Sequence, residues 1–77
     1  MIIKNKLTRE TLNITYSEFR KNFAKEIQDA FESYCKTQLN KYSYNFKDDN
    51  SMEFNFYFDL QWNFNHFGIS NWYIERM

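Results

Sequence analysis

The sequence predicts an α+β fold: one long amphipathic helix packed on an antiparallel sheet of three to five strands. Three observations carry this expectation. An apolar stripe at helical spacing runs from Phe19 to Leu39 with no Gly or Pro to interrupt it. The segments on either side alternate apolar and polar residues, the period of a half-buried strand. The chain has 77 residues, room for one core, so residues 1–77 are read as a single domain.

The first sixteen residues are extended in character. Leu12, Ile14 and Tyr16 alternate with Thr11, Asn13 and Thr15, and Ile2 with Ile3 opens an earlier strand across a turn at Thr8, Arg9 and Glu10. Thr15 and Glu18 stand three apart, the spacing of a capping box, with Ser17 competing as N-cap. Phe19, Phe23, Ile27, Phe31, Tyr34 and Leu39 then form the stripe, with Ala24 and Ala30 in its seam, so a helix is expected from 17 to about 40. Lys25 with Asp29, and Glu32 with Lys36, are spaced to pair on its outer side.

Strands are expected after the helix. Tyr42, Tyr44 and Phe46 alternate, and residues 47–51 are a turn by composition. The strictest alternation follows in MEFNFYFDLQWNF, residues 52–64. Met52, Phe54, Phe56, Phe58, Leu60, Trp62 and Phe64 occupy the even positions; Glu53, Asn55, Tyr57, Asp59, Gln61 and Asn63 occupy the odd ones. This predicts a long central strand, bent near Asp59, with its even face against the helix stripe. Residues 65–70 read as a loop and residues 71–75 as a last short strand.

Composition narrows the function. A chain this small buries only about 60–65% of its unfolded surface, so its stability needs a supplement. Cys35 is alone and His66 is the only histidine, which argues against a disulfide and against a Cys/His metal site. An aromatic fraction of 22% supplies a dense core instead, and homodimerisation is the other source. No apolar run is long enough for a signal peptide or a membrane span, and a lone thiol suits a reducing compartment, so a cytoplasmic location is expected. Residues 1–41 carry eight Lys/Arg against five Asp/Glu, and residues 42–77 carry two against five. Ten Asn, nine Phe and seven Lys against one Gly and no Pro follow from AT-rich codons and suggest a phage or mobile element of a low-GC host.

Candidate chemistry is sparse. His66 near Gly68 could serve as a general base, but the sequence places no nucleophile or paired carboxylate beside it. Cys35 reads as a small buried apolar residue. Asp48, Asp49, Asn50 and Ser51 lack the downstream Gly and Glu of a calcium loop, and no Gly-rich phosphate loop exists. No enzyme activity, cofactor or metal is therefore expected. Stacking on nucleic-acid bases needs exposed rings with Lys or Arg between them, and residues 52–64 contain no Lys or Arg, so direct nucleic-acid binding by the protein is not expected.

A protein-binding role remains. Asp48, Asp49, Glu53, Tyr57 and Asp59, joined by Trp72 and Tyr73, would give an acidic sheet face with aromatic anchors. Such a face can occupy a basic nucleic-acid channel on a host protein. By analogy of class, the expectation is a small non-enzymatic inhibitor or modulator of a host protein, anti-CRISPR-like or of another anti-defence kind. The alternative rests on ITYSEFRKNFAKEI, residues 14–27, which resembles the opening strand and first helix of Phd/YefM-type antitoxins. That resemblance, over about a fifth of the chain, implies a dimeric DNA-binding regulator with Arg20 touching operator DNA; Lys21 and Lys25 add to the basic face of the same helix, which could meet phosphates. In this chain the helix is expected to run on further, with no toxin-wrapping tail after it.

Overall fold

The computed structural model describes residues 1–42 and 51–77. Among these the chain forms β1 (Ile2–Asn5), β2 (Thr11–Asn13), α1 (Tyr16–Asn22), α2 (Ala24–Tyr42), α3 (Ser51–Phe58), α4 (Leu60–Phe67) and β3 (Trp72–Arg76). The fold is a small α+β domain: an antiparallel sheet in the order β2-β1-β3, with helices on one face.

The N-terminal hairpin forms where the sequence places it. Ile3 pairs with Leu12 and with Ile74, so β1 is the central strand. In the turn, Asn5 Oδ1 accepts from the amides of Leu7 and Thr8, and the Arg9 amide donates to the Asn5 carbonyl at 2.8 Å. Thr15 is the N-cap of α1, and the reciprocal bonds with Glu18 complete the expected capping box. Ser17 lies inside the helix.

The single long helix is in fact two. Phe23 leaves the helical region (φ −114°, ψ 27°), and α2 starts afresh at Ala24, with the Ile27 amide bonded to the Phe23 carbonyl at 2.9 Å. The stripe survives the break: Phe19, Phe23, Ile27, Ala30 and Tyr34 are all buried, while Ala24 is exposed. Lys25 pairs with Asp29 at 3.5 Å as expected. Glu32 instead accepts from Gln28 at 3.0 Å, and the Glu32–Lys36 pair is not among the ion pairs of the described residues. Tyr42 ends α2 and does not open a strand. Tyr44, Phe46 and residues 47–50 lie outside the described residues.

The long central strand is the main correction, because residues 52–64 are helical. Met52, Phe56, Leu60 and Phe64 are buried, but Phe54, Phe58 and Trp62 between them are exposed. The reason is arithmetic. Every second even position also recurs at four residues, close to one helical turn of 3.6, so the buried subset satisfies a helix. Phe56 packs on Phe31 and Tyr34 at 5.3 and 5.6 Å between ring centroids, and Phe64 packs edge-on to Phe19 at 5.2 Å. Residues 65–67 of the expected loop extend α4, which closes where the Gly68 amide bonds the Phe64 carbonyl at 2.9 Å.

The break between α3 and α4 falls at Asp59 (φ −121°, ψ 59°). A helix that stops leaves its last carbonyls without amide partners. Asn63, the only buried polar residue among those described, supplies them: its Nδ2 donates to the Phe56 carbonyl at 3.0 Å and lies 3.4 Å from that of Asn55. One buried carboxamide thus holds α3 and α4 in a fixed relation.

Candidate functional site

Four positions spaced by four are exposed in two pairs either side of the break at Asp59: Phe54 and Phe58 on α3, Trp62 and His66 on α4. Because Met52, Phe56, Leu60 and Phe64 fill the core, residues two places away point opposite to it. Phe54 is 67% exposed, Phe58 81% and Trp62 54%, values typical of charged side chains and not of rings. Phe54 and Phe58 lie 5.9 Å apart between centroids. Trp62 and His66 stack at 4.3 Å with an interplanar angle of 16°. Residues 51–67 carry two carboxylates, Glu53 and Asp59, both exposed, and no Lys or Arg. The result is an aromatic ridge rimmed by negative charge.

Along one flank of α3, Arg20 reaches across from α1. Its guanidinium carbon sits 4.4 Å from the centre of the Tyr57 ring, a cation–π contact. Arg20 Nη1 also donates to the Tyr16 hydroxyl at 3.2 Å, and that bond holds the guanidinium pKa up. Burial pushes the Tyr57 phenol up, with the Arg20 charge opposing, so it remains a neutral donor. Glu53 lines the same groove as Arg20 and Tyr57.

The expected acidic sheet face does not form, because its residues turn with a helix. Glu53 and Tyr57 lie on the Arg20 flank, Asp59 sits at the helix break, and Asn63 is buried. Trp72 and Tyr73 are neighbours on a strand and so point to opposite faces: Trp72 meets Phe23 at 5.0 Å, and Tyr73 meets Lys6. Asp48 and Asp49 lie outside the described residues. The alternative set, Arg20, Lys21 and Lys25, is exposed, with Arg20 engaged by its tyrosines and Lys25 by Asp29.

His66 lies in the last turn of α4, not in a loop. The Cys35 thiol is half-buried and pushed up by that burial, which keeps it protonated and a weak nucleophile. No three metal-ligating side chains cluster among the described residues, and no described helix is long and apolar enough to cross a membrane. The signal that would have found the ridge is the four-residue spacing of Phe54, Phe58, Trp62 and His66, hidden inside the two-residue alternation. No protein-family model, curated protein or solved structure matches the chain.

Proposed function

We propose that the chain is a non-enzymatic binding protein that docks a protein partner through the Phe54–Phe58–Trp62 ridge. The observation that carries this is the exposure of three large rings on two consecutive helices, since soluble monomers rarely leave such surface uncovered without a use. Glu53 and Asp59 beside the rings, with no Lys or Arg in residues 51–67, favour a partner whose apolar cleft is rimmed by basic residues. A basic cleft of that kind suits a host protein that handles nucleic acid. With the AT-rich composition, this supports an anti-defence inhibitor of phage or mobile-element origin, anti-CRISPR-like in class, acting in the bacterial cytoplasm. The anchor differs from the one expected from sequence: helical aromatics in place of an acidic strand face.

The test compares wild type with the Phe54→Ser/Phe58→Ser double variant against a partner isolated from a low-GC bacterial lysate. Binding should weaken about tenfold or more in the double variant while its circular dichroism is unchanged. Self-association of the purified chain, abolished by the same pair, would make a second copy the occupant. Salt-sensitive duplex-DNA binding lost with Arg20→Ala would favour the regulator reading instead.

A further inference from the structure

We infer that the outer face of the sheet binds single-stranded nucleic acid, with Tyr73 stacking on a base and Lys4, Lys6 and Arg9 holding phosphates. The helices cover only the face that carries Ile3 and Ile74. The strand register places Thr11, Lys4 and Tyr73 side by side across the other face, one residue from each strand. The groove around them is completed by Asn5, Lys6 and Arg9, so three cations line it and no carboxylate does. Lys6 Nζ lies 5.7 Å from the Tyr73 ring centre. The adjoining groove adds Arg76 and one acid, Glu75, whose carboxylate is held by Lys4 at 3.1 Å.

Arg9 supplies an independent observation. It is the only non-glycine among the described residues with positive φ, at 64°, and it is exposed in the hairpin turn. Glycine or asparagine adopts that conformation most readily, so a long cation sits where the backbone favours a small residue. Such outliers cluster at working surfaces. Tyr73 is half-buried, so part of its ring is open beside the cations, and single-strand recognition uses such a pairing because each base offers a π-face and each nucleotide a phosphate. A duplex hides its base faces in the stack, and a lipid headgroup has none to offer Tyr73.

Fluorescence anisotropy of a labelled oligodeoxythymidylate of about ten nucleotides tests the inference on the full chain. Three phosphate contacts predict a log–log salt slope of about −2, a loss of about 20-fold in affinity between about 50 and about 200 mM salt. Arg9→Gly, which relieves the turn and keeps the fold by circular dichroism, should weaken binding and make that slope shallower by about 0.7. Tyr73→Leu should weaken binding about fivefold or more at unchanged slope, and Tyr73→Phe should restore it. Absence of binding, indifference to both Arg9→Gly and Tyr73→Leu, or an equal affinity for the duplex would each overturn the inference. So would binding to anionic phospholipid vesicles with none to the oligonucleotide.

Discussion

The Asn65 carboxamide of α4 exchanges two hydrogen bonds with the backbone of Ile74 in β3: Nδ2 donates to the carbonyl and Oδ1 accepts from the amide, both at 2.7 Å. The side chain thereby stands in for a neighbouring strand, which β3 lacks on this side among the described residues. Gln61 extends the cover, its Nε2 donating to the Glu75 carbonyl at 2.9 Å. An edge closed in this way is protected from pairing with other chains. Asn65→Leu should cost about 1–3 kcal/mol, because the Ile74 amide loses its partner and the Ile74 carbonyl keeps only the longer bond from Gln61 Nε2 at 3.3 Å. Urea denaturation checks the cost, and dynamic light scattering should show increased aggregation.

The two subsets of even positions in residues 52–64 should respond differently to one substitution. Phe56→Ser removes a fully buried ring and places a hydroxyl in the core, so folding should be lost. Phe54→Ser and Phe58→Ser alter exposed positions and should leave the fold intact, within about 0.5 kcal/mol of wild type in thermal melts.

Thr15→Ala should cost about 0.5–2 kcal/mol by removing the N-cap of α1. The bonds from Thr15 hold the Glu18 carboxyl below its ordinary value. A carboxyl lowered in the folded state stabilises above its unfolded pKa and ceases to do so as pH falls through the folded one. The difference between wild type and Glu18→Gln should therefore be full at neutral pH and vanish under acid. Melting temperatures across that range check the sign.

Gly68→Ala should destabilise by about 1–3 kcal/mol through crowding. A Cβ there would meet the Phe64 carbonyl oxygen at 2.5 Å, the same oxygen that accepts the Gly68 amide to end α4. Since φ at Gly68 is −67°, the cost is steric and not conformational. A melting curve indistinguishable from wild type would show that α4 can end differently.

The parts of the fold legible in the sequence are those with one consistent local signal. Thr15 and Glu18 have a spacing that few other motifs share, and Phe19, Phe23 and Ile27 have no competing period. Residues 52–64 are different, because Met52, Phe56, Leu60 and Phe64 satisfy a strand and a helix equally. Phe, Tyr and Trp also favour strands. What tips the reading toward a strand is that a helix must expose Phe54, Phe58 and Trp62, an arrangement that burial alone disfavours. Local rules fail most where a surface is kept for binding, which is the use proposed for the ridge. The cover provided by Asn63 and Asn65 was illegible for another reason: a carboxamide declares its partners only after the chain has folded.

The central claim is that residues 52–64 present an uncovered aromatic ridge, and Trp62 reports on it directly. In a Trp72→Phe variant, which keeps a ring against Phe23, Trp62 is the sole tryptophan. Its fluorescence should be red-shifted and readily quenched by acrylamide in the free monomer, becoming shielded when the partner binds. Blue-shifted emission that resists quenching in the free monomer would contradict the account, because the ring would already be buried and no ridge would be available to dock.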